Sequence, residues 1–532
     1  MLVKVASAGR IANGTARAPG WLLGLFGVLS FGLAYGLLQG GMRLLLSANL
    51  PQDDVTANIL AQTLEPGYLP RQPPLYEWLL WTVQRLTGPT LPSFLLIKYG
   101  LLAATFGFLH LAATRIFKDP RWAMLAGLSP LLLYQIGWNL HEGVTHTMVL
   151  IACVAASFWA FIRAVEQGRA QDYLLFGLFI GLGMISKWSF AAFVLALLSS
   201  AMLQPRLRKT IFNWRILLSV GASILVASPA IYWVVAGNQD LAAVYGQAVA
   251  PMASESRFKA TLIGLGLSIF APLAFLFPLD VILVAMFPRM VRQAALSIRA
   301  ASPWNAIGAR DEVDWPRLIL HMTLAGFSIL MLGALLTGAT HYLERYMHPF
   351  FLLTPIWLLA MVERTGNASR KAVILGVVLA AVTVSVLPLR FYDLLHAMGP
   401  ECKKCRVAIP YDGLAKALSE RGFVSGTIIA QSRHDAGNLR RYFPNARIVC
   451  LETPRYAPPF RDRAEGQVAV VLKSSSRPRY LHDAVRQAEE LSAEISNRPE
   501  MVTMPWRPWP PSAAERNWSW SVLVADLGAA KN

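Results

Sequence analysis

Two adjacent carboxylates, Asp53 and Asp54, follow the first long apolar run of the chain, within Ala48-Asn-Leu-Pro-Gln-Asp-Asp-Val55. Like charges side by side repel, so one of the pair can hold a raised pKa and serve as a base, or both can hold a cation. A solvated turn after a helix is the plainer reading of such a pair taken alone. The same loop continues as Arg71-Gln-Pro-Pro-Leu-Tyr76-Glu-Trp78. Here Trp78, Leu79, Trp81 and Leu86 make an amphipathic run suited to a membrane surface, or an ordinary aromatic belt. A second cluster, Asn139-Leu-His141-Glu142-Gly-Val-Thr-His146, sets Glu142 and His146 four residues apart. It is not HExxH, which argues against a zincin site, but one helix face could carry both as ligands of a divalent metal, with Asp53 a further candidate. A polar helix start competes with that reading. Lys187 stands alone between two apolar runs, where it either snorkels to the interface or binds phosphate. In His341-Tyr-Leu-Glu344-Arg345-Tyr346-Met-His348-Pro349, an Arg beside the membrane surface suits a bidentate grip on phosphate. Lys98, inside an apolar run, either adds positive charge to the same place or snorkels.

These groups need a scaffold, and the composition says which kind. The 532 residues are 55% hydrophobic and 15% charged, with 16 Trp, 25 Phe and a mean hydropathy of +0.43. Soluble domains carry about 25% charged residues. The net charge of +18 would suggest nucleic acid in a soluble protein. Here the basic residues sit in short clusters between apolar runs, and no basic, aromatic-interleaved stretch stands apart from them. The chain therefore reads as a polytopic α-helical membrane protein that binds no nucleic acid.

A spanning helix needs about 20 mostly apolar residues. On that template about eleven spans are expected: 21–46, 92–114, 122–138, 146–164, 172–186, 189–204, 216–236, 259–287, 317–338, 347–363 and 372–389. The first is too long for the apolar core of a cleaved signal peptide, and Lys4, Arg10 and Arg17 precede it, which places the N-terminus inside. Every second gap is then basic: Arg115/Lys118/Arg121, Arg163/Arg169, Arg206/Arg208/Lys209/Arg215, Arg289/Arg292/Arg299/Arg310 and Arg364/Arg370/Lys371. This positive-inside alternation puts Asp53, Glu142, Lys187 and Arg345 together on the outer side. Ionisable groups at membrane depth are expensive and usually functional.

Residues 1–389 thus form the expected membrane domain, and residues 390–532 an extracytoplasmic α/β domain. In this tail, strand-like runs at Thr427–Gln431, Ile448–Leu451 and Val468–Leu472 alternate with helical stretches at Gly413–Glu420, Asp435–Tyr442 and Leu481–Leu491. Of the four cysteines, Cys153 lies in an apolar run and reads as a small buried hydrophobe. Cys402-Lys-Lys-Cys405 has no second CxxC and no nearby His to complete a metal set, so a disulfide is its simplest role outside the cytoplasm.

The acidic pair after the first span, followed by Gln-Pro-Pro-Leu-Tyr76, resembles the first outer loop of GT-C glycosyltransferases. It is similar above all to the bacterial branch of the dolichyl-phosphate-mannose protein mannosyltransferase-like family, family 39. That branch includes lipid A aminoarabinose and galacturonic acid transferases. Lys187 in Gly-Met-Ile-Ser-Lys-Trp resembles a Lys that follows an apolar run there, and Glu344-Arg345-Tyr346 resembles a later Arg-Tyr-Pro element. Ser432-Arg-His-Asp-Ala-Gly-Asn-Leu-Arg440 with Phe443-Pro444 is similar to the outer domain of the branch. The resemblance implies a polyprenyl-phosphate sugar donor, inversion at the anomeric carbon, and an envelope glycan, lipid or protein acceptor at the outer face of the bacterial inner membrane. It implies Asp53 as base, Asp54 as its support or as a group positioning the acceptor, and Glu142 as a second outer carboxylate where the commoner residue is Asp. Lys187 and Arg345 would neutralise the departing phosphate. Arg71, Tyr76, Lys98, His341 and Glu344 complete the expected binding set. Some relatives use a divalent metal and others do not.

Two other classes would use the same groups. A transporter or flippase of lipid-linked glycans would bind without reacting, but the paired repeats common in transporters are absent from the sequence. A non-catalytic assembly protein recruiting partners through its tail would leave the acidic outer loop without a task.

Overall fold

The computed structural model describes residues 20–237, 239, 256–301, 313–396, 406–458, 466–474, 480, 482–484, 486, 487, 499–506 and 516–526. Its first half runs α1 Leu25–Leu46, α2 Gln52–Leu60, α3 Leu75–Thr87, α4 Leu91–Ala113, α5 Pro120–Leu128, α6 Tyr134–Gly137, α7 His146–Gln167, α8 Ala170–Met184, α9 Phe190–Ala201, α10 Pro205–Ile211 and α11 Ile216–Ala236. The helices continue with α12 Arg257–Leu276, α13 Leu279–Met286, α14 Arg289–Ala300, α15 Trp315–Thr337, α16 His348–Phe351, α17 Thr354–Glu363 and α18 Ala368–His396. Helix α1 packs on α4, α4 on α7, α7 on α8 and α8 on α11, while α15 joins α9, α12 and α17. Their shared core runs from Val28 through Phe94, Leu150 and Phe158 to Leu359. Leu37, Leu45, Leu225 and Val377 face outward on the same helices. Apolar surface turned outward is what a helix presents to lipid.

Among the described residues, seven helices are long and apolar enough to cross a membrane, or eight if the bent pair α13–α14 is one span. Three shorter apolar helical stretches, Ala170–Met184, Phe190–Ala201 and His348–Glu363, fall below that length. The chain is a multi-pass membrane protein, and its described residues hold fewer full-length spans than the eleven expected.

Two of the expected spans are interrupted. The stretch 122–138 divides into α5, a 3₁₀ turn Ser129–Leu132 and α6. The stretch 259–287 breaks between α12 and α13. The breaks meet: the Tyr134 amide donates to Phe277 O at 2.8 Å, and Leu133 bridges Pro278. Backbone freed from a helix at membrane depth must be satisfied by protein, and each break supplies a partner to the other.

Beyond α18 lie α19 Tyr411–Glu420, β1 Gly426–Ala430, α20 Arg433–Tyr442, β2 Arg447–Cys450, β3 Gln467–Lys473, β4 Glu500–Trp506 and β5 Arg516–Asp526. The strands form one sheet in the order β2-β1-β3-β5-β4. Strands β1, β2 and β3 are parallel, with Ile428 opposite Ile448 and Ala469, and β5 is antiparallel to β3 and β4. The three strand-like runs are the parallel ones, which are buried on both faces. Strands β4 and β5 were not expected from the sequence. Cys402 and Cys405 lie outside the described residues, as does most of 481–491.

The nine-residue α2 stands between the two parts. Its Val55 and Ala57 belong to the bundle core. Ile59 and Leu60 belong to the core of the sheet region with Leu414, Leu439 and Trp520.

Candidate active site

Asp53 and Asp54 occupy the first turn of α2, where the positive end of the helix dipole favours carboxylates. Neighbouring positions on a helix point in different directions, and the pair divides accordingly. Asp53 remains open to solvent, whereas Asp54 is 1% exposed and neither of its carboxyl oxygens has a hydrogen-bond partner among the described residues. Burial, reinforced by Asp53 and Glu142, pushes the Asp54 carboxyl up to about 6 against the opposing charges of Lys98 and Arg43. Asp53 is also raised, by the protein crowded around it, while His146, Lys187, Arg71 and Lys98 pull it back down. Tyr76 is fully buried beside the pair, and desolvation with Asp54, Glu77 and Asp53 nearby holds its phenol far above the ordinary range.

The segments that bring Lys187 and Arg71 to Asp53 are tied to one another. The Arg71 loop is tied to the turn carrying Lys187 by Leu75 N donating to Ile185 O at 3.1 Å and Trp188 Nε1 donating to Pro70 O at 3.1 Å. Lys187 Nζ donates to Thr147 Oγ1 at 3.1 Å, at the start of α7, and lies 5.8 Å from the Tyr346 ring. Arg345 sits 5.2 Å from the same ring. Burial lowers the Lys187 ammonium to about 8, with Asp53 opposing and Arg71 and Arg345 adding repulsion. The structure therefore gathers Asp53, Lys187, Arg71 and Arg345 into one electrostatic neighbourhood, from four segments far apart in sequence.

Behind Asp54 a set of polar groups pair with one another. Lys98 Nζ donates to His141 O at 3.1 Å, and the His141 ring nitrogens lie 2.8 Å from Tyr35 Oη and 3.0 Å from Tyr99 Oη. Glu142 Oε1 accepts from Arg390 Nη2 at 2.8 Å and lies 3.8 Å from Arg43 Nε. The loop bearing Glu142 crosses the start of α2 at Gly143, whose φ is 58°; a Cβ there would lie 3.2 Å from Asp53 N.

Several expected site residues are engaged elsewhere. Glu344 Oε1 accepts from Gln135 Nε2 at 3.0 Å, and Asn139 Nδ2 extends the chain to Gln135 Oε1 at 3.2 Å. His341 is exposed. His146 Nε2 meets Glu77 Oε1 at 3.1 Å. Among the described residues no three His, Cys, Asp or Glu side chains form a metal-sized group. Asp53, Glu142 and His146 are not such a group: Glu142 lies beside Arg390 and His146 beside Glu77.

Arg43, Arg390, Glu77 and Thr147 were not singled out from the sequence. Arg43 and Arg390 sit near the ends of apolar runs, where they read as ordinary flanking charges. Their burial, 2% and 4% exposed, shows them paired to a carboxylate instead. The same signal that marked Lys98, an ionisable group at the edge of membrane depth, applied to both.

A bundle of apolar helices whose connections gather carboxylates and cations at one end defines the class: a membrane protein with a polar reaction site built from its loops. Residues 71–233 match the dolichyl-phosphate-mannose-protein mannosyltransferase family. The chain is 27% identical over 430 residues to the lipopolysaccharide core galacturonosyltransferase RgtB of Rhizobium johnstonii, covering 81% of this chain and 84% of that protein. It is 28% identical over 449 residues to the lipopolysaccharide core galacturonosyltransferase RgtA of the same organism, covering 83% and 85%. Its fold is similar to that of ArnT from Cupriavidus metallidurans bound to undecaprenyl phosphate, with a TM-score of 0.56, 14% identity, and coverage of 97% of this chain and 99% of that one. By these comparisons the chain is similar to membrane glycosyltransferases and shares its fold with ArnT.

Proposed function

We propose that the protein transfers a sugar, galacturonic acid by the likeness to its relatives, from a polyprenyl-phosphate donor to a lipopolysaccharide core acceptor at the outer face of the inner membrane. One observation supports the reading best. Solvent-open Asp53 feels the charges of Lys187 and Arg71, Lys187 in turn feels Arg345, and the neighbouring Asp54 is buried with a raised pKa. That pairing supplies a base for a hydroxyl beside cations for a phosphate.

In this reading Asp53 takes the proton of the acceptor hydroxyl as its oxygen attacks the anomeric carbon. The bond from that carbon to the donor phosphate breaks, and the electron pair leaves with the phosphate, whose growing charge Lys187, Arg71 and Arg345 offset. Attack opposite the leaving group inverts the anomeric centre. Asp54, sharing a helix turn with Asp53 and facing Lys98, keeps negative charge behind the base. Glu142, held by Arg390 and Arg43, fixes the loop that covers the start of α2. The sheet region, with the loops that carry these groups, lies on the extracytoplasmic side, and the N-terminus lies in the cytoplasm.

Mass spectrometry of lipopolysaccharide from cells with and without the protein tests the activity, with one galacturonic acid residue of the core expected to disappear. Purified protein given polyprenyl-phosphate-linked galacturonic acid and that truncated core is expected to restore it. Asp53→Asn is expected to lower turnover by about 100-fold to 10,000-fold while the protein still inserts and stays monodisperse. Movement of the lipid-linked sugar across proteoliposomes with no transfer would indicate a flippase instead.

A further inference from the structure

The carboxylate pair stands on a helix of nine residues. So short a helix is marginal alone and depends on what grips it. Its first turn is crossed by the Gly143 loop. Its other end is gripped from the sheet region, and the gripping residue is Arg440. Arg440 is 5% exposed and donates through Nη1 to Asn58 O, to Asn58 Oδ1 at 3.1 Å and to Gln84 Oε1 at 2.9 Å, and through Nη2 to Ala61 O at 3.1 Å. Asn58 O and Ala61 O are carbonyls at the C-terminal end of α2, where a cation both satisfies free acceptors and complements the helix dipole. Gln84 belongs to α3 and itself donates to Asn58 Oδ1 at 2.8 Å, so one guanidinium joins α2, α3 and α20.

The rest of α20 sets where that grip is applied. Gly437 lies so close to Val55 that an added Cβ would collide with the Val55 backbone, and Asn58 Nδ2 donates to Gly437 O at 2.8 Å. Leu50 N donates to Asn438 Oδ1 at 2.8 Å just ahead of the helix. Val55 directly follows Asp54, and Asn58 lies one turn beyond Asp54 on the same face. Gln62 and Tyr456 also tie the sheet region to this loop, but through Ile448 and Leu60 O at and beyond the end of the helix.

We propose that Arg440 is a positioning residue for transfer: by capping α2 from the sheet region, it fixes the direction in which Asp53 and Asp54 face the substrate. The proposal rests on the reading of Asp53 as the base. It makes the C-terminal region part of the reaction site through the helix that carries the two carboxylates.

The test compares full-length purified Arg440→Gln, Arg440→Lys, Arg421→Ala and Asp53→Asn with the wild type, using polyprenyl-phosphate-linked galacturonic acid and lipopolysaccharide core. Arg421 pairs with Glu500 inside the sheet region, away from α2, and controls for loss of stability there. Arg440→Gln is expected to lower kcat by about 10-fold to 100-fold with little change in donor KM, the pattern of a misplaced reacting group. Its acid limb is expected to move to lower pH as water reaches Asp54. Arg440→Lys keeps a charged donor and is expected to fall between the two, while Arg421→Ala keeps wild-type kcat and pH profile. Wild-type kcat and pH profile in Arg440→Gln overturn the proposal, and so does an equal loss in Arg421→Ala. Should Arg440→Gln fail to accumulate, Gly437→Ala displaces α2 with Arg440 intact; the same loss of kcat is expected, and a wild-type rate overturns the proposal. A wild-type rate in Asp53→Asn overturns instead the assignment of the base on which the proposal stands.

Discussion

At the scale of single residues, the site depends on two ionisations that burial moves toward each other. Burial raises Asp54 to about 6, so it carries its charge only above that range, and burial raises Asp53 as well. Lys187 is lowered to about 8 and loses its charge above it. Transfer by this chemistry needs an ionised base and a charged Lys187, and kcat/KM reports the free enzyme. We expect kcat/KM for the lipid donor to rise as the raised carboxylates ionise, Asp54 near pH 6, and to fall above about 8 as Lys187 loses its charge. An arginine does not deprotonate in this range, so Lys187→Arg should remove the alkaline limb while leaving the acid limb in place. Persistence of the alkaline limb in that variant would assign it to another group.

At the scale of elements, the site is assembled from connections, and close backbone approach is what assembles it. Gly143 illustrates this. Its φ of 58° is unfavourable for a side chain, and its missing Cβ leaves room for the Asp53 amide 3.2 Å away. Gly168 has a similar φ of 65° but nothing within 4 Å of a would-be Cβ. Gly143→Ala and Gly168→Ala therefore carry comparable backbone strain of about 1–2 kcal/mol. Only the first should displace α2. We expect Gly143→Ala to slow transfer by about 10-fold or more, and Gly168→Ala to retain wild-type kcat with a modest loss of thermal stability. Equal kcat in the two variants would show that the Glu142 loop does not set the position of Asp53.

For the whole molecule, the central question is which side of the membrane each part occupies. Basic loops between apolar runs argue that α10, with Arg206, Arg208 and Lys209, faces the cytoplasm, and that the sheet region faces outward. A cysteine-free chain carrying Val424→Cys should react with a membrane-impermeant maleimide added to intact spheroplasts, because Val424 is 81% exposed. The same chain carrying Arg208→Cys should react only after the membrane is opened. The reverse pattern would place Asp53 in the cytoplasm and remove the lipid-linked donor from reach.

The sequence by itself determined the membrane class, the parallel strands of the tail and the identity of Asp53, Asp54, Lys187 and Arg345 as residues worth attention. Apolar runs, loop charge and unbroken β-branched stretches are local properties that need no partner to be read. It did not determine that 122–138 and 259–287 break, because each break is tolerated only by backbone partners supplied by the other. Nor did it show that Glu142 belongs to Arg43 and Arg390, that His146 belongs to Glu77, or that Glu344 turns to Gln135. The tertiary structure alone decided which of two neighbouring aspartates is buried and that Arg440, 386 residues or so beyond them, holds their helix. Charge, burial and pKa at this site come from groups brought together across the fold, and a linear order of residues carries no distance between them.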